Sequence, residues 1–196
     1  MKSIPKIDFF VWTLAHNWIL TRDNLKRKFW EGPTIYCPLY LTNEETTKHL
    51  LLSCPFAEDV WKRALLGWDG SVHLPERIHS LLINSASLCP FSTSKNALIK
   101  SCWFTFPKFI FWKLWLERNS CIFRGKSLYA EQDVTKITGL IGDCLKFLLN
   151  GSSNRPLSPS EEAWLHSLSP DLPSVVLAVR KKTVLLGIKD IRLWTW

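Results

Sequence analysis

Cys37-Pro-Leu-Tyr40, then His49 and Cys54-Pro55, constrain this chain more than any other stretch. A structural zinc site takes four soft or borderline ligands in a tetrahedron and typically opens with two cysteines separated by two residues. Cys37 opens such a pair, but Tyr40 stands where the second sulfur belongs. His49 and Cys54 follow at compact-finger spacing. The pattern is a four-ligand site with one ligand replaced. Metal ligands at Cys37, His49 and Cys54 would pin three short segments into one loop cluster.

Local signals say how these segments fold. Thr42 or Asn43 can cap a helix running from Glu44 through Leu52, with acids in its first turn where the helix dipole favours them. Pro55 biases Cys54 away from helical geometry. In an unbroken α-helix His49 and Cys54 would point about 140° apart. A break at Cys54 lets its sulfur swing back toward His49. Pro55 is a favourable first residue for the next helix, which runs to about Leu66 before Gly67.

The rest of the pattern is also helical. Ile7 to Leu14 reads as a short buried helix after Pro5. Thr21 is an N-cap for Arg22–Trp30, with Leu25 and Phe29 on one face and an Asp23–Arg27 pair on another. Pro75–Asn84 is a short amphipathic helix, and the Ser-rich residues 85–94 form a linker. The longest helical pattern runs from Thr93 or Ser94 to about Arg124, kinked at Pro107 and closed by Gly125. Further helices are expected over Leu128–Leu149 and from Ser160. The tail from Ser174 to Trp196 is strand-prone and suits a β-hairpin. The expected fold is mainly α: about seven helices, a degenerate finger-like loop near residue 40, and that tail. The expected division is 4–68, 69–150 and 151–196.

Charge and composition narrow the function. The chain carries a net charge of +8, but residues 1–70 hold 9 basic and 8 acidic side chains, whereas residues 71–160 hold 11 and 5. The basic excess therefore sits beyond the cysteine loop. Arg22, Lys26, Arg27 and Lys28, beside Phe29 and Trp30, form one basic surface, and Lys108 and Lys113 belong to a second with Lys95, Lys100, Arg118, Arg124 and Lys126. Aromatics among basic residues can stack bases while lysines meet phosphates; at helical spacing the same pattern also describes a packed core with a solvated face. Six scattered cysteines and no secretory signal pattern point to a reducing intracellular compartment, nucleus or cytoplasm. The apolar run Cys102–Leu116 is broken by Pro107, Lys108 and Lys113, which argues against a membrane span. Catalysis is disfavoured, since there is no adjacent Asp pair, no phosphate loop and no Gly-x-Ser-x-Gly.

An ordered set of matches goes further. Pro5-Lys6-Ile7 with Phe9-Phe10-Val11-Trp12, Leu20-Thr21-Arg22-Asp23-Asn24-Leu25, Cys37-Pro38-Leu39, Glu44-Glu45-Thr46, His49-Leu50, Cys54-Pro55-Phe56-Ala57 and Val60-Trp61 resemble the zinc-binding domain of plant LINE-type (non-LTR) retrotransposon reverse transcriptases. Trp112-Lys113-Leu114-Trp115-Leu116-Glu117-Arg118-Asn119 with Ile122-Phe123-Arg124-Gly125-Lys126 resembles the helix that follows that domain. The resemblance covers about residues 4–150 and leaves the tail unmatched. It implies zinc held by Cys37, His49 and Cys54 and help in engaging RNA or DNA. Binding through the basic surfaces is expected to be weak, non-specific and salt-sensitive. Tyr40 is the departure: a phenol with a pKa of about 10 keeps its proton at neutral pH and is a poor substitute for a thiolate. His16 or a distant cysteine is a candidate replacement. The alternative from another class is a metal-free helical protein-interaction module or a non-functional retroelement fragment. Oligomeric state is open.

Overall fold

The computed structural model describes residues 5–29, 31–32, 34–65, 75–84, 88–89 and 97–125, with positions 139, 158, 159 and 163 standing alone. The helices expected at 128–149 and from Ser160, the C-terminal hairpin, and most of the 69–75 and 85–94 connections lie outside the described residues.

The fold is mainly helical. Its described elements are α1 (Pro5–Ala15), α2 (Arg22–Arg27), a π-helical turn (His49–Ser53), α3 (Pro55–Ala64), α4 (Ile78–Ile83) and α5 (Ala97–Arg124). Among the described residues the only β-type pairing is the isolated antiparallel bridge between Tyr36 and Glu44.

Helix α5 is the element that the others pack around. It contacts α1, α3 and the π-turn, and α4 contacts α1. Its middle carries Trp103, Phe106, Phe109, Ile110, Phe111 and Leu114, all buried. α1 presents Ile7, Phe10 and Leu14, spaced three and four apart on one face, to this core. Phe10 meets Trp112 edge-on and stacks on Trp115, at centroid distances of 5.2 and 5.9 Å. On the other side Trp61 of α3 meets Phe106 and Phe111 edge-on at 6.2 and 5.6 Å. Each such aromatic side chain, fully buried, contributes about 1.5–3 kcal/mol. α5 continues through Pro107 as one helix and ends at Gly125, whose φ of 60° is the left-handed stop that glycine adopts without strain.

Three sequence expectations change. α1 is not buried all round: Phe9 and Trp12 point to solvent. α2 stops at Arg27, so Phe29 leaves the face it would have shared with Leu25 and takes a left-handed φ of 60°. The helix expected from Glu44 starts only at Thr47, because Glu44 pairs with Tyr36 and the Thr46 hydroxyl accepts the His49 N–H at 3.0 Å. The Asp23–Arg27 pair is present at 3.7 Å, and α3 starts at Pro55 as expected.

Candidate metal centre

Two backbone devices deliver the ligands. Residues 35–37 run antiparallel to 43–45, with the Cys37 N–H on the Asn43 carbonyl at 2.8 Å and the Glu45 N–H on the Ile35 carbonyl at 2.9 Å. The loop between them folds under Cys37, whose carbonyl accepts the Leu41 N–H at 2.8 Å. Leu41 takes a left-handed φ of 58° to make that turn.

The second device is the π-turn. The Cys54 N–H bonds the His49 carbonyl at 2.7 Å, an i to i+5 closure. One wide turn therefore brings Cys54 back over His49, where a regular α-helix would set them far apart. Cys54 itself is extended (φ −69°, ψ 133°), the geometry that Pro55 favours. The Trp61 indole N–H donates to the Leu51 carbonyl at 2.8 Å, satisfying a group inside the irregular turn.

The result is one cluster. The ligand atoms of Cys37, His49 and Cys54 all lie within 4.8 Å of one another, and all three residues are buried. The two sulfurs are 4.0 Å apart. Two thiolates on a tetrahedral zinc, each at about 2.3 Å, would be separated by about 3.8 Å. His49 Nε2 is buried with no hydrogen-bond partner, alone in that respect among the described residues. A buried polar nitrogen without a partner is costly, and a metal ion is one group that would satisfy it.

The electrostatics treat the two sulfurs differently. Cys37 is pushed far above the usual thiol range, first by its hydrogen bond to Cys54 and then by burial and by repulsion from Cys54, against a backbone N–H from Leu39. Cys54 is lowered, first by that same bond from Cys37, while burial opposes and the N–H groups of Ala57 and Phe56 assist. Of the two sulfurs, Cys54, at the start of α3, is therefore the one that gives up its proton more readily. Burial lowers His49 against the opposing pull of Glu45 and Glu58, which favours the neutral imidazole that metals bind.

The other expected site residues distribute differently. Tyr40 is half-buried and packs against the core. His16 is exposed, with Nδ1 2.8 Å from the Trp12 carbonyl, and is no part of the cluster. Cys89 is buried and Cys121 half-buried, both outside it. Arg22 faces inward: its guanidinium donates to the Tyr36 carbonyl and lies 3.6 Å from Glu45. Lys26, Arg27 and Lys28 are exposed at the end of α2. Lys108 pairs with Asp8 at 3.7 Å, and Lys113 is half-buried further along α5.

Sequence reasoning missed Glu45. Its fully buried carboxylate accepts Arg118 Nε at 2.6 Å and Nη2 at 3.1 Å, and the Arg22 backbone N–H at 3.2 Å. Arg118 also donates to the Leu20 carbonyl at 2.9 Å and lies 4.7 Å over the Trp115 ring. Glu45 stands four residues before His49, so this knot holds the approach to the cluster.

The family described as zinc-binding in reverse transcriptase matches residues 1–61, which contain all three cluster residues. No curated protein and no solved structure matches the chain.

Proposed function

We propose that this chain carries a zinc-binding, non-catalytic nucleic-acid-binding module derived from a plant LINE-type retrotransposon reverse transcriptase. The observation that carries the reading is the buried cluster of Cys37, His49 and Cys54 with its unpartnered Nε2, inside the stretch that matches the reverse-transcriptase zinc-binding family. The ordered motifs around it, continuing to Arg118 and Asn119, support the LINE origin.

Cys37 and Cys54 would hold the ion as thiolates and His49 through Nε2. A bound zinc would supply a structural cross-link between the 35–45 loop, the π-turn and the start of α3. The chain's own part is to keep the ligands dry and aimed: Leu39, Phe56 and Ala57 offer N–H groups to the sulfurs, and Leu50 and Leu51 seal the turn. The absence of an adjacent Asp pair or phosphate loop from the sequence supports a binding role. The exposed Lys26, Arg27 and Lys28 are candidate phosphate contacts. No helix among the described residues is long and apolar enough to cross a membrane.

The test is RNA binding by the full chain at low and at physiological salt, with zinc and after chelation. The reading expects binding that falls steeply with salt, as released counterions require, and that weakens when the metal is removed. No binding at low salt, with the metal loaded, would overturn it.

A further inference from the structure

α1 sorts its aromatic side chains to two sides. Phe10 goes to the core, while Phe9 and Trp12 face solvent at 67% and 47% exposure. Trp18, just past the helix, is 56% exposed. These rings form a connected array. Phe9 stacks on Trp12 with centroids 6.0 Å apart. Trp12 lies 4.8 Å from His16 and meets Trp18 edge-on at 5.1 Å, and His16 lies 5.0 Å from Trp18. Asn17, with a left-handed φ of 53°, turns the chain so that the Trp18 N–H reaches the Thr13 carbonyl at 2.8 Å. The array is thus built by backbone geometry, and about half of each tryptophan stays exposed to water.

A basic edge adjoins it. Asn24 donates to the carbonyls of Asn17 and Ile19 at 2.9 and 3.0 Å, which fastens α2 to the turn carrying Trp18. Arg27 Nη1 donates to the same Asn24 side chain at 3.3 Å. Arg27 is thus tied through Asn24 to the turn that carries Trp18, and the exposed Lys26 and Lys28 flank it in sequence. Arg27 also pairs with Asp23, but in an exposed geometry that leaves it available at little cost. Residues 5–29 carry five basic and two acidic side chains.

We infer that this surface binds unpaired nucleic acid, with bases stacking on Trp12 and Trp18 and phosphates meeting Lys26, Arg27 and Lys28. The inference rests on the nucleic-acid reading above and narrows it to single strands. Stacking needs a free base face, which a duplex hides. The composition favours this occupant over a protein. Of the five large apolar side chains exposed between residues 5 and 29, four are aromatic (Phe9, Trp12, Trp18 and Phe29) and only Leu20 is aliphatic. The net positive charge complements a phosphate chain.

The test compares an unstructured oligouridine with an RNA duplex of equal charge, binding to the full chain at low salt. Trp12→Leu/Trp18→Leu removes the rings from exposed positions, and a cooperative urea unfolding transition checks that the fold persists. The inference expects the double variant to lose about thirtyfold or more in single-strand affinity, the lower end for two base–aromatic stacks, and to bind duplex like wild type. Lys26→Gln/Lys28→Gln should weaken both and lower the salt slope by about one per lysine. Unchanged single-strand affinity in the tryptophan variant, with loss in the lysine variant, overturns the stacking site and leaves the nucleic-acid reading standing. Failure of both RNAs to bind overturns both. Loss of self-association in the tryptophan variant, with RNA binding intact, assigns the rings to a second copy and overturns the inference.

Discussion

Arg118 grips Glu45 as a fork, Nε to one carboxylate oxygen at 2.6 Å and Nη2 to the other at 3.1 Å, across 73 residues of sequence. The pair joins α5 to the strand-like segment that feeds the metal cluster. Arg118 lies beyond the 1–61 stretch matched by the zinc-binding family, so the helix downstream of that stretch helps hold it in place. Both side chains are buried, and removing one partner strands the other's charge. Arg118→Met should cost about 3 kcal/mol, the lower end for a broken buried pair, because Arg22 remains 3.6 Å from Glu45. Adding Glu45→Leu should restore only part of the loss, because it also takes the carboxylate from Arg22 and its backbone N–H. Urea unfolding of the three proteins checks this, and a double variant no better than the single would place the cost elsewhere.

Much of the fold was legible because its signals are local. Pro55 starts a helix, Gly125 ends one, and Pro55 forces Cys54 out of the helix, so the return of Cys54 toward His49 followed from the Cys54-Pro55 pair. What was illegible is non-local or irregular. Glu44-Glu45 reads as an acidic first turn, yet Glu45 turns inward because Arg118 arrives from α5, and nothing near residue 45 announces that partner. Arg118 likewise reads as one more member of a basic surface. The π-turn has no sequence signature beyond the five-residue spacing of His49 and Cys54. Phe9 and Trp12 look like core on α1, since an apolar residue's side of a short helix is settled only by what packs against it.

Phe29 follows the basic run of α2 with a φ of 60° and 95% exposure. A left-handed conformation costs a residue with a Cβ about 1–2 kcal/mol, while glycine adopts it freely. Phe29→Gly should therefore raise stability by up to about 1 kcal/mol once glycine's extra freedom in the unfolded chain is counted. Thermal unfolding measures the shift. A destabilised variant would mean that the phenyl ring holds contacts despite its exposure.

Tyr40 stands three residues after Cys37, where a Cys-x-x-Cys pair would carry its second sulfur. Tyr40→Cys would complete a set of three sulfurs and one imidazole nitrogen, the composition of closed structural zinc sites. Zinc affinity should rise by orders of magnitude over the native chain. Titration of both proteins against a chromophoric chelator reads this directly. Equal affinities would show that residue 40 does not face the cluster.

The central claim is that Cys37, His49 and Cys54 form a metal centre rather than a packed corner of the core. Elemental mass spectrometry of the purified full chain, prepared with zinc present and without chelator, tests it most directly. The account predicts one zinc per chain, and loss of that zinc in both Cys54→Ser and His49→Ala. A folded native chain that carries no zinc, or that keeps its zinc when His49 is removed, would contradict it.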